Sequence, residues 1–139
     1  MELREIVLRR NMLGRLLEHA EQWYPKEGVA LLFGHVSKQR GVVDRVALVD
    51  NSAASETTFR VKPEEQYRLL VESEERGEEM IGVFHSHPSS AQPSKTDLEN
   101  MRLNPVVWIV ASREEGSWDY ASFVLDSNGR PDRIDTRIQ

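Results

Sequence analysis

The chain has 139 residues, a formal net charge of −5 and no cysteine. This length suits one domain, taken here as residues 1–139, and the lack of cysteine excludes disulfides, cysteine nucleophiles and thiolate metal sites. Without a basic cluster, a membrane-length apolar run or a secretory signal, we expect a cytoplasmic protein that binds neither nucleic acid nor membrane.

Hydrophobic periodicity predicts strands and one helix in the first part of the chain. Apolar side chains recur at helical spacing from residue 10 to residue 24, and Pro25 then ends the helix. The predicted strands, which are apolar or rich in β-branched residues, cover residues 3–8, 29–34, 42–49 and 57–61.

Two more helices are predicted in the second part of the chain. One begins at Pro63 and ends before Gly77, and the other runs from Ser94 to about Leu103. Strands are expected at residues 80–87, 106–110, 120–124 and 133–138. The mixture predicts an α/β (α+β) fold in one domain.

The strongest chemical motif is a pair of histidines at the end of the strand predicted at 80–87. Side chains alternate faces along a strand, so His85 and His87 point the same way and Ser86 points oppositely. Asp97 follows at a predicted helix start. Two imidazoles and a carboxylate are the ligand types of a catalytic zinc site, which leaves a fourth position to water.

Hydrolysis at such a site also needs a group that moves protons. Glu27, just before the buried run at 29–33, is the candidate general acid/base. Ser94 is the candidate hydroxyl that donates a hydrogen bond to a developing oxyanion. The sequence alone does not place Glu27 beside the metal.

Each of these residues also has a purely structural interpretation. A His-x-His at a strand end can be ordinary surface, and Glu27 can be a solvated residue at a strand edge. Ser94 and Asp97 match a helix capping box. The cap and the metal ligand are compatible, because a helix start can fix Asp97 while its carboxylate faces the metal.

The remaining candidates carry weaker signals. His19 lies off the apolar stripe of the first helix and is expected to face solvent. His35, in a turn after Gly34, is considered as a fourth metal ligand. Trp108, inside an apolar strand, is expected in the core.

The motifs in order resemble the JAMM (MPN+) metalloprotease family. They are Pro25-Lys26-Glu27-Gly28, Leu31-Leu32-Phe33-Gly34, Gly82 to Pro88 and Pro93-Ser94-Lys95-Thr96-Asp97-Leu98. The resemblance implies a cytidine-deaminase-like curved sheet flanked by helices. It also implies one zinc ion per chain on His85, His87 and Asp97, with Glu27 as general acid/base and Ser94 as oxyanion helper.

The resemblance further implies a substrate class. Family members hydrolyse isopeptide or peptide bonds after the glycine-terminated tail of ubiquitin or of a ubiquitin-like or sulfur-carrier protein, and residues 55–61 would offer the tail a strand edge. Two departures are visible. Six residues separate His87 from Ser94 where the family usually has seven, and the chain lacks the insertion after Asp97 found in eukaryotic deubiquitinases.

Two alternatives to this function remain open at this point. The same fold serves as a non-catalytic MPN-type scaffold in assemblies, although scaffolds usually lack part of the metal set. A zinc peptidase acting on a small sulfur-carrier–amino-acid adduct is the second alternative. The sequence predicts neither the linkage that is cleaved nor the oligomeric state.

Overall fold

Seven strands and three helices make up the fold in the computed structural model, which describes residues 3–53, 55–88 and 92–139. The strands are β1 (Glu5–Leu8), β2 (Val29–Ser37), β3 (Arg40–Val49), β4 (Glu79–His87), β5 (Val107–Glu114), β6 (Ser117–Leu125) and β7 (Pro131–Ile138). The helices are α1 (Arg10–Trp23), α2 (Pro63–Glu75) and α3 (Lys95–Leu103). All three predicted helices are confirmed.

The strands form one mixed sheet that closes on itself in the order β1-β3-β2-β4-β5-β6-β7. β1 lies parallel to both β3 and β7, and β4 lies parallel to β5. The other pairs are antiparallel. The expected mixed α/β fold with a curved sheet is confirmed, and here the curvature continues to closure.

The strand predicted at residues 57–61 is wrong. These residues form a loop whose polar backbone groups are satisfied locally, so they need no neighbouring strand. The amide of Arg60 donates to the side-chain oxygen of Asn51 (3.0 Å), and the carbonyl of Arg60 accepts from the amide of Ser52 (2.8 Å). The sequence pattern alone does not reveal this, because it shows β-branched residues without showing their partners.

Two apolar clusters hold the helices on the sheet. One contains α1 residues such as Leu16 together with Phe84 of β4, and the other joins Leu69 of α2 and Met101 of α3 to Trp108. Trp108 is 1% exposed, which confirms it as core. Successive residues of β4 therefore face different clusters, as strand alternation requires.

Two glycines, one at the start of β2 and one further along it, allow close approaches of neighbouring backbone. A Cβ on Gly34 would lie 1.9 Å from the carbonyl oxygen of Val42, at the point where the pairing of β2 and β3 shifts register. A Cβ on Gly28 would lie 3.1 Å from Cα of Ala20, so glycine lets α1 pack closely beside the start of β2.

Within the described residues, no helix combines the length and apolar character needed to cross a bilayer.

Candidate metal centre

The end of β4 brings two histidine side chains together. The Nε2 atoms of His85 and His87 lie 3.0 Å apart, and both residues are buried or nearly so. Ser86 points to the opposite side, where its hydroxyl accepts a hydrogen bond from the amide of Gly28 (2.8 Å). The predicted strand alternation is confirmed.

The first turn of α3 supplies a carboxylate to the same point. Oδ1 of Asp97 lies 3.0 Å from Nε2 of His85, and Oδ2 lies 2.9 Å from Nε2 of His87. The predicted capping box is also present, because Ser94 and Asp97 each accept a hydrogen bond from the other's backbone amide. Asp97 thus fixes the helix start and faces the histidines at once.

Glu27 completes the group from the segment before β2. Four side chains converge here, and we call them the cluster: Glu27, His85, His87 and Asp97. One potential ligand atom from each of them lies within 4.8 Å of those of the other three. Glu27 is 2% exposed, so the interpretation as a solvated strand-edge residue is wrong. Its Oε1 is buried without a hydrogen-bond partner among the described residues.

Backbone contacts hold Glu27 in place from both sides. The neighbouring Gly28 exchanges hydrogen bonds with Ser86, as amide donor to the hydroxyl and as carbonyl acceptor from the Ser86 amide (3.0 Å). The carbonyl of Glu27 accepts from Nδ2 of Asn51 at 2.8 Å. Asn51 is itself buried and also binds the loop at Thr58 and Arg60. Sequence reasoning missed Asn51, and only its place two residues after a predicted strand distinguishes it.

Burial and the neighbouring side chains of the cluster shift the pKa values of Glu27, His85 and Asp97. Burial raises the pKa of Glu27 to about 7, with His87 opposing this rise and Asp97 adding to it. Burial lowers the pKa of His85, against the hydrogen bond from that ring to Asp97. Burial pushes the pKa of Asp97 upward, but hydrogen bonds from both histidines hold it well below its usual range. Neutral imidazole and ionised carboxylate are the forms that bind metals.

The geometry of the cluster fits a bound cation. Ligand atoms about 2.0–2.1 Å from a tetrahedral zinc ion lie about 3.3 Å from one another. The separations among the two Nε2 atoms and the Asp97 oxygens are 2.9–3.0 Å. When both Nε2 atoms donate to Asp97, their two N–H groups lie against each other, whereas a cation between them would bind both lone pairs. The donor set therefore suits a metal held by nitrogen and oxygen.

Aromatic side chains surround the ring of His85. Phe59 lies 5.1 Å away between ring centroids, and Trp108 lies 5.6 Å away at 80°. Nδ1 of His85 is buried with no hydrogen-bond partner in the described part of the chain. Metal-binding histidines usually donate this second N–H to an acceptor. Here aromatic packing sets the orientation of the ring instead.

Of the other two histidines, His19 differs from expectation and His35 lies outside the cluster. His19 is buried, not solvent-facing, and its Nε2 lies 3.0 Å from the carbonyl of Val29 and 3.1 Å from that of Val49. Both partners are acceptors, so Nε2 carries the hydrogen and ties α1 to β2 and β3. His35 is not a metal ligand: it is exposed, and its Nδ1 lies 2.9 Å from Oδ2 of Asp44.

The shortened loop before Ser94 still allows Asp97 to reach the histidines. Residues 89–91 of that loop lie outside the described residues. Ser94 itself is exposed, and its hydroxyl oxygen accepts the capping hydrogen bond from Asp97 at 3.1 Å. The hydroxyl hydrogen is left to donate elsewhere.

The mixed closed sheet thus carries a buried cluster of two histidines, an aspartate and a glutamate that could hold a metal ion. The chain belongs to the family described as prokaryotic homologs of the JAB domain, whose match covers residues 9–123. This confirms the JAMM/MPN-type resemblance, and the chain is a hydrolase of that family.

Named relatives agree with this assignment. The chain is 32% identical over 105 residues to a desampylase of Pyrococcus furiosus, covering 75% of this chain and 70% of the relative. It is 30% identical over 102 residues to a desampylase of Haloferax volcanii, covering 70% and 73%. It is 27% identical over 95 residues to a CysO-cysteine peptidase of Mycobacterium tuberculosis, covering 68% and 64%.

Solved structures show the same fold. A solution structure of a Desulfitobacterium hafniense protein superposes with a TM-score of 0.84 at 28% identity, covering 96% of this chain and 92% of that one. A Salinibacter ruber protein superposes with a TM-score of 0.72 at 23% identity, covering 100% and 92%. The second likeness concerns the fold alone.

Proposed function

We propose that the chain is a zinc-dependent peptidase or isopeptidase that hydrolyses the bond after the C-terminal Gly-Gly tail of a ubiquitin-like or sulfur-carrier protein. The observation that carries this proposal is the buried cluster, in which all four side chains converge within 4.8 Å. The relatives named desampylase and CysO-cysteine peptidase support the chemistry and the substrate class.

His85, His87 and Asp97 would hold one zinc ion per chain. Zinc favours tetrahedral sites with nitrogen and oxygen ligands and accepts three protein ligands in catalytic centres, which matches this donor set. When bound, zinc supplies Lewis-acid chemistry and lowers the pKa of a coordinated water to about 7.

Glu27 would act as general base and then as general acid. Its carboxylate accepts a proton from the attacking water as the water oxygen bonds to the scissile carbonyl carbon. The same proton then passes to the leaving nitrogen as the C–N bond breaks. Burial raises the pKa of Glu27 to about 7, so the group can both take up and release a proton near neutral pH.

Ser94 would donate its hydroxyl hydrogen to the oxygen that becomes negative in the tetrahedral intermediate. The capping contact supports this role, since it uses the hydroxyl as acceptor and holds its oxygen beside Asp97. Fixed donors at a developing oxyanion are among the larger contributions to acyl-transfer catalysis.

The cluster favours catalysis over the scaffold alternative, because every residue of the proposed set is present and converges. Residues 104–106 alone join α3 to β5, so that connection provides no insertion to contact a folded protein. A compact leaving group, such as the amino acid of a carrier adduct, is therefore compatible with the fold.

The test uses zinc-loaded protein and a Gly-Gly-terminated carrier in three forms: joined to a protein lysine, fused linearly, and joined to a single amino acid. Mass spectrometry of the products identifies the bond cleaved. We expect cleavage directly after the second glycine in at least one form, and we expect a chelator to abolish it. Intact substrates in all three cases, or cleavage that survives chelation, would overturn the proposal.

A further inference from the structure

A polar recess of about 280 Å³ lies beside the cluster, at the ends of β5 and β6, and Ser112, Glu114, Asp119, Ala121 and Arg133 are among its lining residues. We propose that this recess is the subsite for the leaving half of the substrate, and that it accepts the amino and carboxylate groups of a single amino acid. The inference rests on the proposed function and adds the identity of the leaving group.

Strand register places the recess next to the proposed metal ligands. His87 pairs with Ser112 across β4 and β5, and Ser112 pairs with Asp119 across β5 and β6. Paired residues project from the same face of a sheet, and adjacent strands lie about 4.8 Å apart. Ser112 is therefore the immediate neighbour of His87, and Asp119 lies one strand further on. A group leaving the scissile carbonyl has this recess beside it.

Ser112 gives the recess an unused polar atom. The residue is 1% exposed, and its Oγ has no hydrogen-bond partner among the described residues. Buried hydroxyls are nearly always paired, since an unpaired one loses its bond to water without replacement. An N–H of the leaving half would satisfy Oγ as a hydrogen-bond acceptor.

The charges of the recess match the two ends of an amino acid. Glu114, Asp119 and Arg133 all line it, and none of them forms an ion pair within the described ranges. The carboxylates lie on β5 and β6, nearer the histidines, and the guanidinium comes from β7 beyond them. After the C–N bond breaks, the protonated amine faces Asp119. The α-carboxylate reaches Arg133, whose planar fork binds carboxylates in a bidentate manner.

A second recess, of about 190 Å³, lies on the other side of the histidines and suits the leaving group less well. Val83 of β4 and Trp108 of β5 line it. Each of these residues lies two positions before the next pair on the same face, His85 and Val110. Leu31 adds to its apolar lining. A zwitterion would meet Arg60 there but no carboxylate, so its ammonium group would lose hydration without gaining a charged partner. The polar recess is therefore the better leaving-group site.

The size of the polar recess also favours a small leaving group. Its volume lies just below the roughly 300–1,000 Å³ of typical small-molecule pockets. The β5–β6 connection beside it is a two-residue turn, Glu115 and Gly116, both with positive φ. Such a turn adds little surface for contact with a folded protein.

The experiment compares two substrates that differ only in one charge. A Gly-Gly-terminated carrier is joined by its terminal carboxyl to the α-nitrogen of alanine or of alaninamide, and kcat/KM is measured with zinc-loaded protein. We expect the acid to be cleaved about tenfold faster than the amide, since a hydrogen-bonded charge pair is lost in the amide.

Arg133→Gln should remove this preference for the acid over the amide. Arg130→Gln, at an exposed position outside the lining of the recess, is the matched control and should keep it.

Ser112→Ala separates a subsite role from a structural one. We expect kcat/KM for both substrates to fall several-fold, while the melting temperature stays the same or rises because an unpaired buried hydroxyl is removed. A lower melting temperature with unchanged kcat/KM would overturn the role of Ser112.

The outcomes distinguish this inference from the proposed function. Equal cleavage of acid and amide by the wild-type protein would overturn the subsite and leave the hydrolytic function standing. Faster cleavage of a protein-lysine conjugate than of the alanine adduct would overturn the assignment to a single amino acid. No cleavage of any of the three substrates would overturn both proposals.

Discussion

At the scale of single residues, His85 shows how this site is organised without the usual hydrogen-bonded support. Its ring lies between Phe59 and Trp108, and its Nδ1 has no acceptor in the described structure. Its Nε2 is directed to Asp97 at 3.0 Å. Aromatic packing therefore orients the His85 ring, and the carboxylate of Asp97 from α3 holds its Nε2.

The first residue-scale prediction concerns metal binding. His87→Ala should lose stoichiometric zinc, because only two of the three proposed protein ligands of the catalytic site would remain. Metal content after gel filtration, measured by atomic emission, checks this. His35→Ala is the control, since His35 is exposed and paired with Asp44 away from the cluster. Full zinc occupancy in His87→Ala would contradict the ligand assignment.

The second prediction separates the two roles of Ser94. Ser94→Ala should lower the free energy of unfolding by about 1 kcal/mol, whereas Ser94→Gly should cost only a few tenths, because glycine is tolerated at an N-cap. Both lack the hydroxyl, so both should lose at least tenfold in kcat if Ser94 stabilises the oxyanion. Urea unfolding and turnover are measured on the same samples. If kcat fell in Ser94→Ala but stayed near the wild-type value in the more stable Ser94→Gly, Ser94 would serve as a helix cap alone.

At the scale of elements, the site depends on loops as much as on strands. Asn51 follows β3 and binds the carbonyl of Glu27 as well as Thr58 and Arg60 of the loop that carries Phe59. One buried side chain therefore links the proposed general base to the aromatic packing around His85.

Asn51→Ala is expected to destabilise the fold by about 3 kcal/mol, because several buried backbone groups lose their partner. Turnover should fall while the histidines still bind zinc, since only the segment of Glu27 is released. Chemical denaturation, metal content and kcat together check this. Asn128→Ala, at an exposed loop position, is the control and should stay within about 0.5 kcal/mol of wild type. Wild-type stability and turnover in Asn51→Ala would contradict the linking role.

The regular elements could be predicted from sequence because their patterns are local. Helical spacing, Pro63 and the Ser94–Asp97 box mark all three helices, and strand alternation places His85 and His87 on one face. The loop at 57–61 could not be predicted, because its backbone is held by the buried side chain of Asn51, which lies outside the segment. The burial of His19 likewise depends on carbonyls of two strands that only the folded chain brings together.

At the scale of the whole molecule, the closed sheet brings together residues that are far apart in sequence. Glu27 precedes β2, the histidines end β4 and Asp97 begins α3, yet their ligand atoms lie within 4.8 Å. Because α1, α2 and α3 pack on the sheet through two clusters, the site is held by the full fold. Glu27 could be assigned to the cluster from sequence only through the family resemblance, since no local pattern connects it to His85.

Metal binding should stabilise the whole fold, because only the native chain presents the converged ligands. At zinc about 1,000-fold above its dissociation constant, linkage gives about 4 kcal/mol, or roughly 10–15 °C in melting temperature for a chain of this size. Calorimetry with and without zinc checks the shift, and a chelator should reverse it. His87→Ala should show little shift; an equal shift in that variant would mean that zinc binds elsewhere.

The most direct test of the account is the hydrolysis rate and zinc content of Glu27→Gln, measured side by side with wild type on a Gly-Gly-terminated conjugate. The substitution keeps size and removes proton transfer without removing a proposed ligand, so we expect full zinc occupancy and a fall in kcat of at least about 100-fold. Retained turnover, or loss of zinc together with turnover, would contradict Glu27 as the proton-transferring residue of a hydrolytic zinc centre.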